Sequence, residues 1–143
     1  MSDNLWFVDT NILVYAFDAS EEKQKKAQEI LQACWEGKTQ FAISLQNLTE
    51  LFVVLTRKVK NRLSVTEASH IVTLFLTNEN WKKLAPKETT IALALRLTHN
   101  FSVPFWDSML AAVMIENNIQ HIYTENVKDF ANAPGIVVKN PFE

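Results

Sequence analysis

The sequence predicts an α/β fold with three layers, a central, mostly parallel sheet covered by helices on both faces. Two observations predict it. Short apolar runs of strand length alternate with longer stretches of helical periodicity along the whole chain, with no internal repeat and no linker between them. A length of 143 residues with 48% hydrophobic composition suits one domain, residues 1–143, with its own core.

The first strand is the run Leu5-Trp6-Phe7-Val8, which ends on Asp9. The carboxyl ends of strands are where open α/β sheets place their ligands, so Asp9 stands where chemistry can occur. Residues 12–17 then form a short helix, and Ser20, Glu21, Glu22 and Lys23 open a longer one reaching about Trp35. Ala27, Ile30, Leu31, Cys34 and Trp35 share its apolar face, and Gly37 stops it.

Residues 41–44 are a second strand leading into a helix over residues 45–59, with Leu48, Leu51, Phe52 and Leu55 as its core stripe. Ser64 and Glu67 have capping-box spacing and begin the next helix. Residues 78–86 form a connector that holds a short edge strand at 81–84. Residues 88–99 are helical with apolar positions on more than one side, which predicts a well-buried helix ended by Asn100. Pro104 makes residues 101–106 a loop, after which Asp107 opens an apolar helix closed by Asn117 and Asn118. Strands at 121–124 and 136–138 complete the sheet.

Composition excludes several functions. With only Gly37 and Gly135 available, no glycine-rich phosphate loop can be built. The lone Cys34 has no disulfide partner and fits a buried, inert thiol. The acidic start Met1-Ser2-Asp3-Asn4 and the early Asp9 and Asn11 argue against a secretory signal, and no apolar run approaches the ~20 residues of a membrane span, so a cytoplasmic protein is expected. His70, His99 and His121 lack ligand-like spacing. Trp6, Trp35, Trp81 and Trp106 are assigned to packing rather than to base stacking.

What remains is acidic. Right-handed crossovers send all strands of a parallel sheet the same way, so the segments after Val8, Ser44 and Thr124 emerge on one edge. Asp9 lies there directly. Glu50 lies in the second turn of the helix after Ser44, between Gln46, Asn47, Val53 and Val54, where full solvation is not expected. Asp107 opens the helix that returns to the 121–124 strand. Carboxylates brought together repel unless a cation neutralises them, and a hard divalent ion, Mg²⁺ or Mn²⁺, is the natural compensation. Taken singly, Asp9 and Asp107 could instead cap helices and Glu50 could be a helix-surface acid.

Phe7-Val8-Asp9-Thr10-Asn11-Ile12-Leu13, Glu50, Phe105-Trp106-Asp107-Ser108 and Thr124-Glu125-Asn126-Val127-Lys128-Asp129-Phe130, in that order, resemble the PIN-domain family and within it the VapC-like toxin ribonucleases. The resemblance extends to the closing Asn140-Pro141-Phe142. It implies a Mg²⁺-dependent endoribonuclease that cleaves RNA by a metal-activated water, with Asp9, Glu50 and Asp107 as its acidic core. Thr10 and Asn11 would fix Asp9 or metal-bound waters. The family often has an acid where Asn126 stands, which leaves Asp129 or Glu125 to complete the cluster. Asp129 is favoured, with Asn126 as a neutral oxygen ligand or water holder, and one helical turn could aim all three at the site.

The resemblance further implies a cognate small antitoxin that covers the acidic cleft, and a homodimer. Apolar helical residues around Phe52, Phe75 and Leu76 are candidate partner contacts, with core packing as the alternative. Arg57, Lys58, Lys60 and Arg62 are a candidate RNA-backbone patch or a solvated helix end. Two other functions compete. An aspartyl-phosphate phosphatase would use Asp9 as nucleophile but wants a second aspartate where Asn11 stands. A PIN-like binding module without turnover would keep the fold alone.

Overall fold

The computed structural model describes residues 5–143, so the acidic Met1-Ser2-Asp3-Asn4 segment lies outside the described residues. Its strands are β1 (Trp6–Val8), β2 (Phe41–Ser44), β3 (Trp81–Leu84), β4 (His121–Tyr123) and β5 (Val137–Lys139). They form one five-stranded sheet in the order β3-β2-β1-β4-β5, with every pairing parallel. The helices are α1 (Thr10–Phe17), α2 (Gln24–Trp35), α3 (Leu45–Arg57), α4 (Val65–Thr77), α5 (Glu88–Phe101), α6 (Phe105–Glu116) and the single turn α7 (Val127–Phe130).

Alternation along the strands sorts side chains into two cores. Val8, Phe41, Ile43 and Trp81 pack with α1 to α4, whereas Phe7, Ala42 and Ile122 pack with α5 and α6. The three-layer α/β/α architecture follows directly. Phe75 and Trp81, both essentially fully buried, anchor the first core with ring centroids 4.9 Å apart. Phe75 therefore belongs to the core, not to a partner surface. Cys34 is fully buried in the same core, its Sγ donating to the Asn80 carbonyl at 3.3 Å. None of the described helices is long and apolar enough to cross a membrane.

Element boundaries depart from the sequence expectation where local hydrogen bonds win. The helix expected from Ser20 begins at Gln24, because the Asp18 carboxylate draws Ser20 N and Oγ into a turn at 3.1 and 2.6 Å. Asn100 does not end α5; the chain continues to Phe101 and leaves the helix at Ser102, whose φ of 58° is left-handed. Phe105 and Trp106 are helical rather than loop, since Pro104 serves as the N-cap and Asp107 occupies the third helical position. The helix expected to be well buried is not. Ile91 and Leu95, one turn apart on α5, are 46% and 56% exposed.

Candidate metal centre

The centre is built at the carboxyl edge of the sheet by the junctions that follow β1, β2 and β4. Asp9 leaves β1 in extended conformation and caps α1, its Oδ1 accepting from Thr10 N at 2.7 Å. The capping role and the candidate ligand role fall on one residue, because the carboxylate has a second oxygen. That Oδ2 accepts from Thr124 Oγ1 at 2.7 Å and, more weakly, from Asn11 Nδ2 at 3.4 Å. Parallel register brings this about: Val8 stands beside Tyr123, so the next residues, Asp9 and Thr124, meet at the ends of neighbouring strands.

On the other side β2 delivers Ser44, which caps α3 in a capping box with Asn47. Asn47 is buried and its Nδ2 donates to Thr10 Oγ1 at 2.7 Å, while that hydroxyl in turn donates to Glu50 Oε2 at 3.2 Å. Thr10 thus couples Asp9's own helix to Glu50. Glu50 itself is solvent-exposed, contrary to the expectation from its valine neighbours. Its position on α3 turns it outward, with only the Thr10 hydroxyl on one oxygen.

Asp107 enters from the first turn of α6. Burial pushes its carboxyl up to about 6, and the negative charges of Asp9, Asp129 and Glu50 add to the rise in that order. Asp9 is also raised, first by burial and last by Glu50, with the hydrogen bonds from Thr124 and Thr10 working the other way. Four acids that are distant in sequence therefore act on one region.

Within the 124–130 segment the candidates separate. Asp129 contributes charge at Asp107 and lies on the exposed side of α7. Asn126 is the N-cap of α7, exposed, with its backbone N–H on Thr124 Oγ1 at 3.0 Å. Glu125 is turned away, its carboxylate held by the Tyr15 hydroxyl and the Lys23 ammonium. The expectation that one turn aims all three at the centre is corrected on that ground, since a cation and a phenol outcompete a cluster of like charges.

Thr124 and Asn47 were not assigned roles from the sequence. The register just described would have identified Thr124, and the Ser44-to-Asn47 spacing of a capping box marks Asn47.

Among the described residues the ion pairs are Lys23 with Glu125 and Lys38 with Glu36, so no cationic side chain pairs with Asp9, Glu50, Asp107 or Asp129. The donor set is entirely hard oxygen, which suits Mg²⁺ or Mn²⁺. Among the described residues no three His, Cys, Asp or Glu side chains form a ready-made metal cage. Mg²⁺ needs none, because it binds through one or two carboxylates and keeps several waters. Asp9 and Asp107, whose charges act on each other, are the residues that would hold such an ion.

Neither of the larger concavities reaches Asp9 or Asp107. One, of about 540 Å³, is an apolar groove between α3 and α4 lined by Leu45, Leu48, Phe52, Val53, Val72 and Leu76. Another, of about 450 Å³, lies under α5 around Leu93, Leu97 and Ile119.

The family model of the PIN domain matches residues 6–136. Similar solved structures include a toxin–antitoxin complex from Klebsiella pneumoniae, at 23% identity and TM-score 0.66 over 96% of this chain and 98% of that one. The Mycobacterium tuberculosis toxin VapC20, described as cleaving the sarcin-ricin loop, aligns at 18% identity and TM-score 0.69 over 88% and 93%. VapBC2 from Rickettsia felis, bound to a promoter DNA fragment, aligns at 20% identity and TM-score 0.66 over 95% and 98%. At these identities the likeness is one of fold. No curated protein matches the chain.

Proposed function

The chain belongs to the PIN domain family, and on that premise we propose that it is a divalent-metal-dependent endoribonuclease of one domain, residues 1–143, and the toxin of a cytoplasmic toxin–antitoxin pair. The observation that carries this reading is Asp9 at the end of β1, its helix joined through the Thr10 hydroxyl to Glu50, with Asp107, in the first turn of α6, pushed up by burial and by the charge of Asp9. Such a concentration of unpaired acid is unfavourable without a cation. Perturbed acids gathered at the carboxyl edge of a parallel sheet are what a reaction centre requires.

In this reading Asp9 and Asp107 would hold Mg²⁺ or Mn²⁺, and Asp129 and Asn126, on α7 and its N-cap, would complete the set. When bound, the ion polarises a phosphoryl oxygen and lowers the pKa of the attacking water. The protein's own groups do the rest. Thr10 N–H and Thr124 Oγ1 fix the two oxygens of Asp9, so the carboxylate cannot rotate away from the phosphate. Glu50, exposed and bound through one oxygen only, would accept the proton of the water that attacks phosphorus in line, as the P–O bond opposite breaks and the departing oxygen takes a proton from solvent. Asn11 bridges Thr124 and the Glu125 backbone N–H, each at 3.4 Å, and keeps the β4–α7 loop against α1.

The antitoxin occupies the α3–α4 groove with an apolar helix, since Leu45, Val53 and Leu76 expose apolar surface there, and it supplies an arginine to the acids. Ile91 and Leu95 on α5 form the face of a homodimer. The test is RNA cleavage by wild type and Asp9→Asn across a titration of Mg²⁺ and Mn²⁺. Metal-dependent cutting that disappears in Asp9→Asn supports the reading. Partner binding with no cutting under any metal would mean a PIN-like binding module, and a hydroxylamine-labile phosphoenzyme would mean a phosphatase.

A further inference from the structure

Trp106 is 65% exposed, whereas Trp81 is 1% exposed and Trp6 and Trp35 are half-buried. The sequence assignment of all four to packing therefore fails for this one. Among the described residues the aromatic ring paired with it is Phe105, which meets it edge-on with ring centroids 5.3 Å apart and an interplanar angle of 66°. Phe105 steadies one edge and leaves the indole largely open to solvent.

The indole's neighbour in the chain is Asp107, the acid on which Asp9, Asp129 and Glu50 converge. Both sit in the first turn of α6, and successive helical residues point about 100° apart. Trp106 thus borders the acidic centre without entering it. That turn is rigid: Ser108 N donates to the Pro104 carbonyl at 2.8 Å, Ser108 Oγ to the Val103 carbonyl at 3.1 Å, and Thr98 Oγ1 to Ser108 Oγ at 2.8 Å. The backbone that carries the indole is held in place by these bonds.

We propose that the Trp106 indole is a stacking platform for an unpaired base of the RNA strand next to the phosphate being cut. This rests on the endoribonuclease reading and adds where the strand is gripped. With a net charge of −2 the chain has no general attraction for a polyanion, and the acids of the centre repel one. Beside backbone contacts at the exposed Arg57, Lys58, Lys60 and Arg62, the base faces are a further source of affinity, and stacking on an aromatic side chain draws on it without regard to sequence. A protein partner has its own apolar surface in the α3–α4 groove, which does not include Trp106.

The test uses the full chain with Mg²⁺ and a short, labelled single-stranded RNA of mixed sequence that the wild type cuts. A series of the same strand carries one abasic position moved step by step. Trp106→Ala is expected to raise KM roughly 5- to 150-fold, the equivalent of ~1–3 kcal/mol. Trp106→Phe should retain most of the affinity. Both variants should keep the wild-type melting temperature and oligomeric state.

At one abasic position the wild type should lose affinity while Trp106→Ala loses no more, because the base and its platform are already separated. Wild-type KM in Trp106→Ala overturns the proposal, as does a loss that simply adds to every abasic substitution. Loss of dimer or antitoxin binding in Trp106→Ala with RNA kinetics unchanged also overturns it, and makes the indole a protein contact. If the wild type cuts no RNA with any divalent ion, the endoribonuclease reading itself fails and takes this one with it.

Discussion

Thr124 Oγ1 donates a 2.7 Å hydrogen bond to Asp9 Oδ2 across 115 positions of sequence, and both residues are buried. The bond ties the end of β4 to the end of β1 at the centre of the sheet. Replacing Thr124 by Val should leave the Asp9 carboxylate short of its strongest side-chain donor and destabilise the fold by ~1–3 kcal/mol. Urea denaturation measures the loss, and Thr124→Ser should recover most of it. Cleavage should fall in the Val variant and return in the Ser variant.

The second prediction concerns pH. The Asp107 carboxyl is raised to about 6 from 3.8, so between these values the folded, metal-free chain holds more protons than the unfolded one. Stability of the chelated protein should therefore decline as pH rises from about 4 to about 6 through this group, and Asp9, raised in the same direction, adds to the decline. Asp107→Asn should flatten that slope. Adding Mg²⁺ at neutral pH should raise the midpoint of the wild type and not that of Asp107→Asn.

Most of the fold was legible because strand length and helical period differ so clearly in this chain. Even the edge strand at Trp81–Leu84 was readable, being a short run bounded by Asn78 and Pro86. What the sequence hid was decided by contacts between distant residues. The orientation of Glu125 depends on Tyr15 and Lys23, which no local pattern pairs with it. The exposure of Ile91, Leu95 and Trp106 depends on which faces the other helices leave uncovered. Asp9, Glu50 and Asp107 were proposed as a set from their order along the chain, whereas Thr124 needed the register between β1 and β4.

A third prediction separates stability from function. Ser64 Oγ accepts from Glu67 N at 3.0 Å and Glu67 Oε1 accepts from Ser64 N at 3.0 Å, closing the N-terminus of α4. Ser64→Ala should lower stability by ~1 kcal/mol. Metal-dependent cleavage at a temperature well below melting should be unchanged, since α4 carries none of the acids.

Cys34 offers a fourth. Burial pushes its thiol up to about 11, and its side chain is wholly inside the first core. In the folded protein a thiol reagent at pH 8 should react with it only as fast as the chain opens, and in urea the reaction should be immediate.

A fifth concerns the partner. Leu76 is 49% exposed at the rim of the α3–α4 groove, so Leu76→Asp should leave the melting temperature nearly unchanged. Binding of the antitoxin, measured by calorimetry, should weaken at least tenfold, and toxicity on co-expression should return.

The central claim is that Asp9 and Asp107 share a divalent ion. Anomalous diffraction from crystals soaked in Mn²⁺ tests it most directly. The account predicts a peak between the Asp9 and Asp107 carboxylates at coordination distance, about 2.0–2.3 Å from an oxygen of each, and its disappearance in Asp9→Asn. A peak bound elsewhere, or none at a concentration that supports RNA cleavage, would contradict it.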